Sequence, residues 1–232
     1  MSAVKWFVLA TCTAAACLGS VLPASAAAIR GVVQFTGAGG EPKKLPVTID
    51  QYVCGKDKDV EDLQVSAQRG VRNAVVWLQN PPPGARWEAP PAKVEMDQKG
   101  CLFVPHVVIV PAGGTVEFLN SDRLLHNLHS VGKDNPPFNR TQPRGRVIPV
   151  AFAKPEIIRV DCDLHSWMRA WVVVADHPFY ALSNEAGEFV LAGVPPGTYT
   201  LSIWQEALGT SSREVTIGAE DARVTIEFKA RR

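Results

Sequence analysis

The chain has 232 residues, with 24 basic and 23 acidic side chains and a formal net charge of +1 at neutral pH. A charge this close to zero leaves no basic footprint for nucleic acid. Beyond the first two dozen residues no stretch is apolar enough to span a bilayer, and the length suits two compact units or one elaborated one.

In chain order, Lys5 precedes an apolar run over residues 6–22 and the small triplet Ala24, Ser25 and Ala26. This is the pattern of a cleavable export signal over 1–26, with the mature chain beginning near Ala27 in the periplasm or outside the cell. A lipid-attachment signal at Cys17 is the competing reading, but Ala14, Ala15 and Ala16 stand where such signals usually carry Leu. Loss of the signal removes Lys5 and no acid, so the mature charge falls to zero. Cys12 and Cys17 leave with it. Cys54, Cys101 and Cys162 remain, an odd number that suggests one disulfide and one thiol kept for another purpose.

From residue 27 onward the ordered-looking segments are short runs rich in Val, Ile, Phe and Thr, bounded by Gly, Pro, Asn and Asp, and convincing helices are missing. Residues 27–92 carry strands at 31–35 and 74–78 and a stiff, proline-rich connection at 81–91. This segment is expected to extend the unit that follows. Residues 93–177 hold strands at 94–97, 106–110, 115–120, 147–152, 157–162 and 169–174. Their polar stretch 132–146, with Pro136, Pro137 and Pro143, reads as a mobile loop. Residues 178–232 alternate cleanly: Phe189 and Leu191, then Tyr199, Leu201 and Ile203, then Val215 and Ile217, then Val224, Ile226 and Phe228 share a face. That is the signature of half-buried antiparallel sheets in a small sandwich.

The chemistry concentrates in Cys162-Asp163-Leu164-His165-Ser166-Trp167-Met168, a Cys-x-x-His-x-x-Met loop between two strands. Ile158, Val160 and Cys162 fall on one strand face, so the thiol points inward. A thiolate, an imidazole and a thioether at this spacing can converge on one ion, and with a second His they form the soft ligand set of blue copper. His126, in Asn120-Ser121-Asp122-Arg123-Leu124-Leu125-His126-Asn127, is the natural supplier. Singly, a buried Cys, a core Met or a strand His is unremarkable. Their conjunction is what points to copper.

Residues 93–175 resemble the cupredoxins, through Phe103-Val104-Pro105-His106, Gly114, Val116-Glu117-Phe118, Asn120 and His126-Asn127. The loop length is similar to that of amicyanin, and Met168-Arg169-Ala170-Trp171-Val172-Val173-Val174 looks like the strand after it. The resemblance implies one mononuclear copper ion held by His126, Cys162, His165 and Met168, with Asn127 tying the His-bearing segment to the Cys-bearing one. It also implies one-electron transfer with an unidentified redox partner, the electron passing through His165 as the ligand nearest the surface, with Trp167 near that edge. The stretch from Gly187 to Leu201 resembles the carboxypeptidase regulatory-like (transthyretin-like) module, which implies a structural or adhesive role. The whole assembly is similar to exported cupredoxin-like proteins labelled methylamine-utilisation proteins. The expected fold is all-β: a cupredoxin-like Greek-key β-sandwich followed by a small transthyretin-like β-sandwich.

Cys54 and Cys101 could be further thiolate ligands, although export favours a disulfide that would pin the N-terminal segment to the copper unit. His129 falls on the face opposite His126, as an exposed bystander, and His106 is left open. Asp161 and Asp163 flank the Cys with charge. Neither G-x-S-x-G, a glycine-rich phosphate loop nor a His-x-His pair occurs, so a self-contained enzyme is not expected. Copper storage or delivery, or a metal-free structural role, are the alternative readings.

Overall fold

The computed structural model describes residues 27–37, 43–87 and 93–229. The export signal and residues 88–92 of the proline-rich connection lie outside them. In chain order come β1 (Ala27–Phe35), β2 (Lys44–Pro46), a one-turn helix α1 (Gln51–Cys54), β3 (Asp57–Asp59) and β4 (Val75–Leu78). Then follow β5 (Val94–Gln98), β6 (Phe103–Val104), β7 (Val107–Pro111), β8 (Thr115–Asn120) and β9 (His126–Val131). Next are β10 (Asn139–Gln142), β11 (Ile148–Ala151), β12 (Glu156–Asp161) and β13 (Arg169–Ala175). Last are β14 (Tyr180–Leu182), β15 (Glu188–Val194), β16 (Gly197–Gln205), β17 (Gly209–Ile217) and β18 (Ala222–Phe228).

The two sheets of the first sandwich are formed by β5–β13. One sheet has the order β10-β9-β12-β13-β7 and the other β11-β8-β5-β6. The pairs β13–β7 and β5–β8 are parallel, so the chain must cross between sheets to make them. Period-two alternation drives the packing: β8 buries Val116 and Phe118, and β12 buries Ile158 and Val160. These meet Met96, Phe103 and Leu128 in one core.

The second sandwich pairs the sheet β15-β1-β18 with the sheet β14-β4-β16-β17. Here the structure corrects the expected boundaries. β1 and β4, from residues 27–92, belong to this sandwich and do not extend the first one. The cause lies in the core: Ile29 and Val33 from β1 and Val76 and Leu78 from β4 fill it beside Phe189, Leu191, Leu201 and Ile203. Among the described residues β18 has no other sheet partner than β1, lying parallel to it from Ile29↔Ala222 to Phe35↔Phe228. At Gly31 an added Cβ would sit 2.5 Å from Phe189 Cζ, so only glycine leaves room for the ring. Of residues 27–92, only 44–59 joins the first sandwich, through Val47 and Cys54 in its core.

The stretch 132–146, expected to be a mobile loop, instead holds β10, which pairs with β9 from Asn139↔His129 to Gln142↔His126. Buried amides fasten it. Gln142 donates to Phe118 O (2.8 Å) and accepts from Gln98, while Asn135 is held by Lys154 O and the Glu156 carboxylate.

The two sandwiches share a third apolar cluster. Val75 of β4, Val107 of β7 and Val173 of β13 are buried in it, with Trp77, Trp171, Tyr180 and Trp204 around them. The result is four stacked sheets. Trp171 and Trp204 meet edge to face at 4.8 Å across this junction. Glu206 accepts from Trp171 Nε1–H (2.8 Å) and pairs with buried His106, whose other nitrogen lies 3.7 Å from Glu61.

Candidate metal centre

β12 and β9 are neighbours in one sheet, in register at Asp161↔His129 and Val160↔Ser130. That pairing sets His126, at the start of β9, beside Cys162, just past the end of β12. The Cys162–Met168 loop is closed by two backbone hydrogen bonds: Cys162 N–H to Met168 O (3.1 Å) and Met168 N–H to His165 O (2.8 Å). His165 is thereby folded back toward Cys162. Cys162 Sγ lies 3.9 Å from His126 Nδ1 and 3.6 Å from His165 Nδ1, and the two Nδ1 atoms are 3.0 Å apart. All three residues are buried, at 0%, 2% and 1% exposure for His126, Cys162 and His165. Met168 is buried in the same core cluster.

A first-row metal with bonds of about 2.0 Å to nitrogen and about 2.3 Å to sulfur sets neighbouring trigonal donors roughly 3.5 to 3.8 Å apart. The separation of 3.6 Å to His165 falls in this range and that of 3.9 Å to His126 lies just above it. The nitrogen–nitrogen separation is shorter, as befits two rings hydrogen-bonded to each other.

Each histidine turns its other nitrogen to a carboxylate. Asp122 Oδ2 lies 3.0 Å from His126 Nε2, and Asp50 Oδ2 lies 3.2 Å from His165 Nε2. Asp122 is itself fixed, accepting from Gly100 N–H (2.6 Å) and Cys101 N–H (2.8 Å). A carboxylate behind an imidazole locks its tautomer and orientation and raises its basicity as a ligand. Neither aspartate stood out in the sequence. Asp122, four residues before His126, carried a local signal; Asp50 carried none.

Burial disfavours charge on His126, yet Asp122 and the Cys162 sulfur outweigh it and hold the imidazole up at about 9. Burial lowers His165 below the usual range, and the charge on His126 adds to this, against the opposing pull of Asp50. The metal-free centre is thus a protonated and a neutral imidazole sharing a hydrogen bond.

Asn127 connects the two ligand segments: its Oδ1 accepts from Asp163 N–H (2.7 Å) and its Nδ2 donates to Asp163 Oδ2 (3.0 Å). Cys54 and Cys101 form a disulfide, which leaves Cys162 as the free thiol among the described residues. His129 is half-exposed and binds Asp163 at 2.8 Å, while Asp161 is paired with Arg159 and Arg169. The charges flanking Cys162 are therefore compensated locally.

One expectation needs correction. His165 is not an exposed edge: the segment carrying Asp50 lies over its outer nitrogen. Trp167 stands 5.2 Å from the His165 ring but is half-buried, with its Nε1–H donated to Cys101 O (3.0 Å). His106, left open, lies at the junction of the two sandwiches and not at this centre.

No family model matches the chain, and no curated protein matches it significantly. Several solved copper proteins resemble part of it. A copper-containing nitrite reductase from Thermus scotoductus SA-01 is 25% identical over 42% of this chain, with a TM-score of 0.35; the match spans 25% of the reductase. A purple cupredoxin from Nitrosopumilus maritimus is 20% identical over 36% of this chain and all of its own (TM-score 0.32). A reduced Cu(I) form of an amicyanin variant is 20% identical over 43% of this chain and 98% of its own (TM-score 0.34). In all three the likeness covers less than half of this chain.

Proposed function

We propose that the chain is an exported mononuclear copper protein that carries single electrons, a carrier and not an enzyme. The observation that supports this best is the convergence of two imidazole Nδ1 atoms and one thiol sulfur in a buried site, with both remote nitrogens held by carboxylates. Soft sulfur with imidazole is a donor set that copper satisfies well. Copper bound there supplies a one-electron couple. The chain's own part is to hold His126, Cys162 and His165 at fixed spacing, exclude water, and offer buried Met168 as a fourth, weaker ligand. A sheet scaffold on both sides keeps that arrangement stiff. The Cys54–Cys101 disulfide suits an oxidising compartment, and no helix among the described residues is long and apolar enough to cross a membrane.

The copper-loaded mature chain should show strong visible thiolate-to-copper absorption with a matching spin-resonance signal, both lost in Cys162→Ser. A colourless copper complex would sink this reading. One observation favours a second reading, copper storage or delivery: every ligand is buried, including the histidine expected to face solvent. Voltammetry separates the two, because a carrier gives a reversible couple and a storage protein does not.

A further inference from the structure

The short hairpin β2–β3 and helix α1 between its strands form a two-stranded unit hydrogen-bonded to neither sandwich through a sheet edge. It rests on the metal-bearing sandwich at three kinds of contact. Val47 and Cys54 are buried in that core, with Val53 packed against it. Cys54 is bonded to Cys101. Asp50 reaches the outer nitrogen of His165.

The turn is shaped to present that carboxylate. Asp50 has φ 52°, a left-handed backbone that Asp tolerates better than most residues. Its carbonyl accepts from Val53 N–H (3.0 Å) and Cys54 N–H (2.9 Å), and Gln51 Nε2 donates to Val47 O (2.6 Å). Asp50 is therefore locked four residues from the disulfide. On the far side of that bond, Cys101 donates its N–H to Asp122, which holds His126, and its carbonyl accepts from Trp167 beside His165. One covalent bond thus joins the supports of both histidines.

We propose that residues 44–59 are a cover over the outer edge of His165, with Asp50 as the positioning residue that holds its imidazole and the Cys54–Cys101 disulfide as the anchor that keeps the cover shut. His165 has 1% of its side chain exposed while Asp50 has 35%, so the aspartate occupies the place where solvent would reach the ring. An ion entering or leaving past His165 must displace this hairpin. The cover itself does not depend on a metal; its role in exchange rests on the metal-centre reading.

The test uses the full mature chain without metal, treated with diethyl pyrocarbonate at neutral pH, and follows carbethoxylation of each histidine by mass spectrometry. In the wild-type protein His165 should react at least about tenfold more slowly than half-exposed His129, because a closed segment reacts only through its open population. Cys54→Ala/Cys101→Ala and, separately, Asp50→Ala should bring His165 to within about threefold of His129. Asp50→Asn, whose amide oxygen accepts the same hydrogen bond, should keep it protected. A His165 that reacts freely in the wild type, or stays protected in both the double-cysteine and alanine variants, overturns the proposal. If the double variant loses its near-ultraviolet dichroism, Asp50→Ala decides alone, since it leaves the disulfide intact.

In the copper-loaded protein, extraction by a Cu(I) chelator should accelerate about tenfold or more in Asp50→Ala, the lower end of what losing a carboxylate behind a liganding histidine costs. Equal extraction rates with the visible band intact overturn the cover's control of exchange and leave the metal centre standing. Absence of any copper band in the wild type overturns the metal centre, and the modification rates then judge the cover by themselves.

Discussion

His126 and His165 face each other through their Nδ1 atoms at 3.0 Å, and each is fastened from behind, by Asp122 at 3.0 Å and by Asp50 at 3.2 Å. The ring orientations are therefore set before any ion arrives. What binding must displace at His126 is a proton and not a side chain.

This gives a pH dependence with a defined sign. In the metal-free protein His126 is held up at about 9, so at neutral pH it carries a proton that copper has to expel. Apparent copper affinity should rise as pH increases toward 9 and level off above it. Calorimetry in buffers of different ionisation enthalpy should find net proton release near pH 7 that includes the proton His126 gives up, and that part should shrink as pH approaches 9. An affinity flat between pH 6 and 9 would contradict the arrangement.

Asp122 serves two masters, His126 and the backbone at Gly100 and Cys101. Asp122→Ala should lower copper affinity roughly 10- to 100-fold. It should also cost about 1 to 3 kcal/mol of stability, because two backbone donors, one of them on fully buried Cys101, lose their acceptor. Competition with a chelator and urea unfolding of the metal-free protein measure the two effects separately.

At the junction of the sandwiches, burial opposes the charge on His106, but the hydrogen bond to Glu206 and the negative charges of Glu206 and Glu61 prevail and hold it at about 9. The folded value lies above the unfolded one of 6.5. Its contribution to stability is fully present below pH 6.5 and is lost as pH rises through 9. The loss is on the order of 3 kcal/mol for this buried group. Urea unfolding at several pH values should show the decline, and His106→Gln should flatten it.

Gly31→Ala should destabilise the second sandwich by about 1 to 3 kcal/mol through overpacking, since the new methyl would meet Phe189 Cζ at 2.5 Å and Val224 O at 2.6 Å. The melting temperature reports this. The visible copper band should keep its position, because Phe189 and Cys162 lie in different cores.

The most legible part of the centre was the Cys162–Met168 loop, since one turn carries its residues and the alternation of Ile158 and Val160 fixes the direction of the thiol. Asp50 was illegible because it stands 115 residues from His165 and meets it only through tertiary packing. The same holds for His106, whose partner Glu206 is 100 residues away. In the fold, alternation showed which faces of the strands are buried but not which strands pair. The apolar face of β1 is equally compatible with either sandwich, and its place is decided by β18 and by the space Gly31 leaves for Phe189.

The parallel pairing of β1 with β18 also sets an order of assembly. All of β5–β13 emerges from synthesis, and can close on itself, while β1 and β4 still wait for β14–β18. β4 is flanked on both sides once β14 and β16 are made, but until residues 222–228 arrive β1 keeps one edge unpaired, the kind of surface that recruits other chains. A chain that stops short of β18 therefore has the β5–β13 sandwich complete and an open strand edge in the other.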